Sequence, residues 1–237
     1  MNAKDLSNRL QKAAEFVPQG AILADIGSDH AYLPVALMLQ GKIAHGIAGE
    51  VVVGPYESAK KQVAKNGLTE KIDVRLADGL DAVVLNDHVS TVTICGMGGV
   101  LIRDILQRGK ENQRLSGKER LILQPNVGER QLRTWLVNEN YQLTDEAIVA
   151  ENQKIYEIIV AEKVETTPEY SAKELFFGPV LLKEKNSIFL EKWRHKLIKS
   201  EKILASLRQS DQDVAKKIEN VAQEIKWIKE VLADAGK

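Results

Sequence analysis

The sequence of 237 residues lacks several features that would point to particular classes of protein. Cys95 is its only cysteine, which excludes a disulfide within the chain and a zinc site built from cysteines. Basic and acidic residues are equal in number, 33 of each, so the net charge gives no sign of a nucleic-acid-binding protein. No apolar run approaches the roughly 20 residues of a membrane-spanning helix. The histidines show no spacing typical of metal ligands.

The composition that remains is that of an ordinary globular protein. A hydrophobic fraction of 44% with 28% charged residues argues against a disordered chain. The N-terminal stretch MNAKDLSNRLQKAAEF carries charges throughout and lacks the apolar centre of a secretory signal. We therefore expect a cytoplasmic protein with no membrane or metal partner, and we favour a monomer.

Apolar strand-like segments alternate with helical patterns along the first half of the chain: AILADI, IAHGIAGE, IDVRLAD, TVTICG and RLILQP. Helices are predicted over residues 30–41, 55–66 and 98–109. Such alternation is typical of an α/β fold with a parallel sheet covered by helices on both faces. Two further strand-like runs, 146–150 and 155–162, are separated by a connection of turn length, which predicts an antiparallel hairpin at one edge.

The C-terminal part has a different pattern. Residues 164–183 read as a linker or packing segment, between a main domain over 1–163 and a helical region over 184–237. In that region two segments carry apolar residues at spacings of three and four, joined by the polar stretch 209–213. This pattern predicts an antiparallel helical hairpin packed as a small coiled coil, and the alternative is that both helices pack on the main domain.

The stretch ADIGSDHAYLP follows the first predicted strand and indicates a ligand-binding loop. The dinucleotide fingerprint G-x-G-x-x-G has glycines at the positions that Asp29 and Tyr32 occupy here, after Gly27. A carboxylate at Asp29 would repel a pyrophosphate, whereas it would attract an ammonium or a sulfonium group. The loop therefore favours a cationic, phosphate-free adenosine such as S-adenosylmethionine over NAD.

Two later acids lie at the ends of the next predicted strands. Glu50 could accept hydrogen bonds from both ribose hydroxyls, and Asp78 could accept one from the adenine amine. Each acid alone is an ordinary turn residue. Together with Asp25 at the end of the first strand, they predict a cofactor site at the carboxyl edge of the sheet.

The fourth and fifth predicted strands end in glycines and amides. Gly96-Met97-Gly98-Gly99 would let the backbone approach a ligand closely, although a tight turn without a ligand has the same composition. Gln124-Pro125-Asn126 places two amides at the same edge. Either amide could pair with an adenine edge or cap a loop.

Several of these segments closely resemble the bacterial tRNA adenine-22 N(1)-methyltransferase family, and the resemblance runs nearly end to end. It is also carried by the segments IAGEVVVGPYESAKKQVAKNGL, RLADGL, ICGMGGVLIRDIL, LILQPN, IYEIIVAEK and FFGP. The resemblance implies a class I methyltransferase domain followed by a coiled-coil domain. It also implies S-adenosyl-L-methionine as cofactor, tRNA as partner, and methyl transfer to N(1) of adenine 22.

Carried over residue by residue, the resemblance implies a role for each matching position. It assigns the methionine side of the cofactor to Asp25, Gly27, Ser28, Asp29 and His30, the ribose to Glu50 and Val51, the adenine to Asp78 and Gly79, and the methyl-transfer side to Gly96, Met97 and Gly98. As catalytic residues we expect Asp29, which would stabilise charge developing on the base, and Asn126, which would contact the base edge. The Asn-Pro-Pro-Tyr arrangement of amino-methylating enzymes is absent, which argues against methylation of an exocyclic amine.

Two other functions remain open at this point. A methyltransferase for another RNA, a protein or a small molecule would use the coiled coil to form oligomers, and a non-catalytic adaptor would use it to recruit partners. If tRNA is the substrate, we expect the hairpin to grip its backbone with a set of basic side chains. This set comprises Lys192, Arg194, Lys196, Lys199, Lys202, Lys216, Lys217, Lys226 and Lys229. A solvated surface or a protein-binding arm would explain the same residues.

Overall fold

The computed structural model describes residues 6–166, 168–209 and 214–234. The chain forms two compact units, residues 1–180 and 181–237, and each is described by itself. The boundaries at 163 and 184 that the sequence indicates stay a prediction.

The first unit is built on one seven-stranded sheet with the strand order β3-β2-β1-β4-β5-β7-β6. Its strands are β1 Ala21–Ile26, β2 Ile43–Glu50, β3 Ile72–Leu76, β4 Thr91–Gly98, β5 Arg120–Val127, β6 Tyr141–Glu151 and β7 Lys154–Lys163. The first five strands pair in parallel, whereas β7 runs antiparallel to both β5 and β6. This confirms the prediction of a mostly parallel sheet that ends in an antiparallel hairpin.

Helices cover both faces of this sheet. In the first unit they are α1 Asn8–Glu15, α2 Tyr32–Leu39, α3 Val53–Lys65, α4 Gly99–Glu111, α5 Glu129–Asn138 and α6 Ala172–Phe177, with short 3-10 helices at Gly79–Ala82 and Leu85–Asp87. Neighbouring strand residues belong to opposite apolar clusters, as Leu23 and Ala24 show on β1. The first cluster includes Val35 and Leu37 of α2, and the second includes Ile102 of α4. The burial of apolar side chains on each face fixes the register of the strands.

The predicted helix over 30–41 is wrong at its start, because α2 begins only at Tyr32. Asp29, His30 and Ala31 all have left-handed backbones, with φ angles of 40°, 68° and 55°. Such residues cannot continue a right-handed helix, and for residues other than glycine each costs free energy. The loop after β1 is therefore longer than the sequence pattern indicates.

A buried ion triad joins α5 to the hairpin of β6 and β7. Arg133 Nε lies 2.6 Å from Glu146 Oε1, and its Nη2 lies 2.5 Å from Glu157 Oε2. All three side chains are fully buried. The backbone N–H of Val180 donates to Glu146 Oε2 at 2.8 Å, so the triad also holds the end of the first unit.

The second unit consists of α7 Leu181–Glu184, α8 Ser187–Arg208 and α9 Ala215–Asp234. The two long helices pack against each other, and Trp193, Ser200, Ile225 and Ile228 on these helices are buried. Lys229 also forms an ion pair at 2.8 Å with Glu201 on the opposite helix. The predicted connection lies outside the described residues except for Gln209. In the described ranges, no helix has the length and apolar character needed to cross a membrane.

Candidate active site

The carboxyl ends of the parallel strands bring the predicted site residues to one edge of the sheet. In the strand register, Ile26 of β1 pairs with Gly49 of β2, next to Glu50. Cys95 of β4 pairs with Gln124 of β5, just before the glycine turn that begins at Gly96. Open α/β sheets bind ligands at this edge.

Asp25 is buried and organises the loop that follows β1. Its carboxylate accepts hydrogen bonds from Ser28 Oγ at 2.5 Å and from Thr93 Oγ1 at 2.6 Å. Burial raises the pKa of Asp25, although these two hydrogen bonds oppose the effect. The backbone N–H of Gly27 donates to the carbonyl of Gly49 at 2.9 Å. The buried carboxylate of Asp25 therefore fixes the shape of the loop through these hydrogen bonds.

Glu50 holds the same loop through a hydrogen bond to its backbone. Its Oε1 accepts the backbone N–H of Asp29, and its residue exposure is only 5%. Burial raises the pKa of Glu50, and the nearby carboxylates of Asp25 and Asp29 raise it further. The Asp29 side chain itself is 69% exposed, with Oδ1 3.5 Å from His30 Nε2. Val51, the next residue after Glu50, is also exposed.

The first loop touches the glycine turn at the carboxyl end of β4 through Gly27. A Cβ atom added to Gly27 would lie 2.1 Å from Met97 Cε, and the φ of Gly27 is +69°. The turn is packed equally closely on its other side, because a Cβ on Gly99 would lie 2.5 Å from the carbonyl oxygen of Gly128. Gly98, between Met97 and Gly99, is the residue that precedes α4. A side chain at position 99 would meet the backbone of Gly128, whereas one at position 27 would displace the end of the Met97 side chain.

Asp78 lies after β3 and is paired with a residue that no sequence motif indicated. Arg108 of α4 donates to both carboxylate oxygens of Asp78, at 2.6 and 3.0 Å. This contact lowers the pKa of Asp78. Gly79 beside it is buried and left-handed. No local pattern could have revealed Arg108, because it is 30 residues away in the chain.

The two amides near the carboxyl end of β5 have different surroundings. Gln124 is fully buried, and its Oε1 accepts from the Gly96 N–H at 3.0 Å and from Arg9 Nη1 at 2.8 Å. Its Nε2 donates to Asn126 Oδ1 at 3.2 Å, and Asn126 Nδ2 donates to the Gly96 carbonyl at 2.7 Å. Gln124 therefore supports the glycine turn from within, whereas Asn126 is exposed at the edge.

Neither cysteine chemistry nor a metal cluster is indicated at this edge. Burial raises the pKa of the Cys95 thiol to about 12, so the thiol is protonated at neutral pH. In the part of the chain that the structure describes, no three histidine, cysteine or acidic side chains come together as metal ligands do.

The chemistry of the donor set fits one kind of cofactor. Asp25, Asp29 and Glu50 surround the first loop, and carboxylates attract a cationic ligand and repel a pyrophosphate. Glycines at positions 27, 96 and 98 leave the backbone of both loops accessible. Together with the strand order, this acidic edge defines the class of protein as a class I methyltransferase that uses S-adenosyl-L-methionine.

Comparison with known proteins identifies the family. The family model described as tRNA (adenine(22)-N(1))-methyltransferase, TrmK, matches residues 23–230. The chain belongs to this family.

Individual relatives agree with this assignment over almost the whole chain. The tRNA (adenine(22)-N(1))-methyltransferase of Bacillus subtilis (strain 168) is 44% identical over 238 residues, which cover 98% of this chain and 99% of the relative. A Streptococcus pneumoniae protein solved in complex with S-adenosyl-L-methionine has a TM-score of 0.87 at 46% identity, covering 96% of this chain and 100% of that one. The M. capricolum TrmK structure with S-adenosyl-homocysteine has a TM-score of 0.82 at 28% identity, with coverages of 96% and 98%.

Proposed function

We propose that this protein transfers the methyl group of S-adenosyl-L-methionine to N(1) of adenine 22 in bacterial tRNA, acting as a cytoplasmic monomer. The observation that carries the proposal is the match to the family model over residues 23–230, which includes every predicted site residue. The Bacillus subtilis relative bears the name of this activity. The Streptococcus pneumoniae structure holds the same cofactor.

The first loop would hold the methionine part of the cofactor. We assign this role to Gly27, Ser28, Asp29 and His30, with Asp25 keeping the loop in shape through Ser28 and Thr93. When bound, S-adenosyl-L-methionine supplies an electrophilic methyl group on a positively charged sulfur. The carboxylates of this loop match that charge.

The next two strand ends would hold the nucleoside. Glu50 uses Oε1 for the Asp29 N–H, which leaves Oε2 to accept from the ribose, with Val51 beside it. Asp78 is held by Arg108, and each of its oxygens keeps a second lone pair for the adenine amine, beside Gly79. We infer that Arg108 orients this carboxylate.

The base would enter on the side of Gly96, Met97 and Gly98. Adenine N(1) has a lone pair that is mostly unprotonated at neutral pH, so alignment contributes more than a strong base would. The methylated base carries a delocalised positive charge, which the exposed carboxylate of Asp29 would stabilise. Asn126 would contact the base edge with the hydrogen-bonding capacity that Gln124 and Gly96 leave. If Asp29→Ala binds cofactor normally and methylates at full rate, its catalytic role is withdrawn.

The helical hairpin would bind the tRNA backbone. N(1) lies on the pairing edge of adenine, so the base must leave its pairing before it reacts. Of the proposed cations, Lys229 pairs with Glu201 and Lys192 lies over the ring of Trp193. Lys196, Lys199 and Lys202 are exposed on α8 and are the first candidates. A protein-binding arm is the competing role for this surface.

Labelling tests the proposed function directly. The protein is incubated with radiolabelled S-adenosyl-L-methionine and unmodified bacterial tRNA, and the labelled nucleoside is mapped after nuclease digestion. We expect label in 1-methyladenosine at position 22. No label in any tRNA, with cofactor binding intact, would indicate a methyltransferase with another acceptor.

A further inference from the structure

Arg9 lies close to the proposed methyl-transfer side of the site, although it belongs to none of the sequence segments that resemble the family. It lies on α1, near the start of the chain. Its Nη1 donates to Gln124 Oε1 at 2.8 Å, and its guanidinium lies 5.9 Å from the ring centre of Tyr156. Gln124 and Tyr156 are 115 or more positions away in the chain, so only the folded sheet brings this cation to them.

The guanidinium faces the glycine turn at the carboxyl end of β4. A Cβ atom added to Gly96 would lie 3.3 Å from Arg9 Nη1 and 3.7 Å from its Nη2. Gly96 is also tied to Asn126, whose side-chain amide donates to the Gly96 carbonyl. Arg9 is therefore a direct neighbour of the turn beside which the base would lie.

The position of Arg9 is fixed, but its hydrogen-bonding capacity is not used up. Two N–H donors, from Arg9 and from Gly96, converge on one atom of Gln124, so that atom must be the amide oxygen. Arg9 Nε also forms an ion pair with Glu151 Oε2 at 3.8 Å, a separation that is beyond hydrogen-bond distance and leaves the N–H donors of the guanidinium available. Within the described residues, Gln124 is the one hydrogen-bond acceptor of this guanidinium, and the side chain is 22% exposed.

The charges around the two sides of the site are opposite. Asp25, Asp29 and Glu50 surround the cofactor loop, where they favour a cation and would repel a phosphate of the RNA backbone. Arg9 supplies positive charge beside the glycine turn. A guanidinium is suited to phosphate because it offers several donors in a planar fork.

We propose that Arg9 binds a backbone phosphate beside the target adenine, and that the Gln124 amide holds the guanidinium in position for this contact. The inference rests on the proposed function, because it takes tRNA as the substrate. It assigns an RNA contact to the first unit, separately from the lysines proposed on the second unit. Its ligand is an RNA phosphate and not the cofactor, which carries no phosphate.

The test measures tRNA binding by the full chain at several salt concentrations, without cofactor. Removing one cation that binds a phosphate lowers the slope of log affinity against log salt by about one. We expect Arg9→Ala to weaken binding about tenfold at low salt and to lower the slope by about one. Arg9→Lys should keep the slope because it keeps the positive charge. It should recover only part of the affinity because lysine lacks the planar set of N–H donors of the guanidinium.

Lys12→Ala is the matched control, since Lys12 lies on the same helix and pairs with Glu15. It should bind tRNA like the wild type, and the affinity of Arg9→Ala for cofactor should change by less than about twofold. If Arg9→Ala does not fold, Arg9→Gln keeps a donor for Gln124 without the charge and gives the same salt readout. A wild-type slope in the uncharged variant would overturn the inference, whatever its turnover.

The two proposals can fail separately. Binding is measured without methyl transfer, so a wild-type protein that leaves adenine 22 unmethylated would contradict the proposed function only. A wild-type protein that methylates adenine 22, with an unchanged salt slope for the uncharged Arg9 variant, would contradict only the role of Arg9.

Discussion

At the scale of one residue, burial of the Glu50 carboxylate lowers the stability of the folded protein when that carboxylate is ionised. This carboxylate is buried with two other acids nearby, and burial raises its pKa. The folded state therefore holds the Glu50 proton more tightly than the unfolded state does. Stability falls as the pH rises from the ordinary glutamate pKa through the raised one. A protein is expected to keep an ionised side chain at this cost in stability where that side chain binds a ligand.

The first prediction replaces this charge with a neutral amide. Glu50→Gln keeps an oxygen for the Asp29 N–H, so the cofactor-free protein should be at least as stable as the wild type at neutral pH. That advantage should vanish below the ordinary glutamate pKa, as thermal unfolding across pH would show. Cofactor affinity should fall by about tenfold or more, because the ribose then has no charged acceptor.

Glu57→Gln is the control for this change, because Glu57 is half exposed on α3 beside Lys60. It should alter neither the pH dependence nor cofactor binding. A Glu50→Gln protein that binds cofactor as tightly as the wild type would contradict the assignment of Glu50 to the ribose.

The second prediction concerns the contact between the two loops. Gly27→Ala and Gly20→Ala both place a side chain at positive φ, which should cost about 1 kcal/mol of unfolding free energy in each. A Cβ on Gly27 also displaces Met97, whereas one on Gly20 meets nothing within 4 Å. Equal unfolding temperatures with activity abolished only in Gly27→Ala would support a functional role for this contact. Equal activity in both variants would contradict it.

At the scale of secondary-structure elements, the hairpin of β6 and β7 is held to α5 by the buried triad around Arg133. Each partner needs the others, because an unpaired charge in this place has no water to solvate it. Gly178 is part of the same arrangement, since a Cβ there would lie 2.6 Å from Glu146 Oε2. The triad thus helps fix the edge of the sheet and the end of the first unit.

The third prediction tests the triad by removing its cation. Arg133→Ala leaves two buried carboxylates together and should lower the unfolding free energy by about 3–5 kcal/mol. Arg120 also pairs with two carboxylates, Asp145 and Glu162, but both are partly exposed. Arg120→Ala should therefore cost only about 1 kcal/mol. Similar losses of stability in the two variants, measured by denaturant unfolding, would contradict the importance of burial.

The elements of the sheet could be predicted from sequence because alternation of apolar segments is a local signal. The start of α2 could not, since Asp29, His30 and Ala31 are left-handed without a glycine among them. Helix α1 was not predicted either, although it places Arg9 beside Gln124. The acids Asp25 and Glu50 could be located because each lies at the carboxyl end of a strand.

The contacts that complete the site depend on distances along the chain that no local pattern encodes. Thr93 meets Asp25 across 68 residues, Arg108 meets Asp78 across 30, and Arg9 meets Gln124 across 115. The sequence therefore indicated the strand ends at which polar side chains lie, and the folded chain added the side chains that contact them.

At the scale of the whole molecule, a neutral net charge hides an uneven distribution. Acids surround the loop that follows β1, and exposed lysines lie along α8.

The fourth prediction changes Lys196, Lys199 and Lys202 together to alanine. The salt slope of tRNA binding should fall by about one for each of these lysines that binds a phosphate, with cofactor affinity unchanged. The same three positions changed to arginine should keep the slope. An unchanged slope in the alanine variant would favour a protein-binding arm.

The most direct measurement of the central claim compares two transcripts of one bacterial tRNA, which differ only in adenine or guanine at position 22. Both are incubated with the protein and S-adenosyl-L-methionine, and methylated nucleosides are identified by position. We expect one methyl group at N(1) of adenine 22 in the first transcript and none in the second. Methylation of both transcripts, or of neither, would contradict the proposed function.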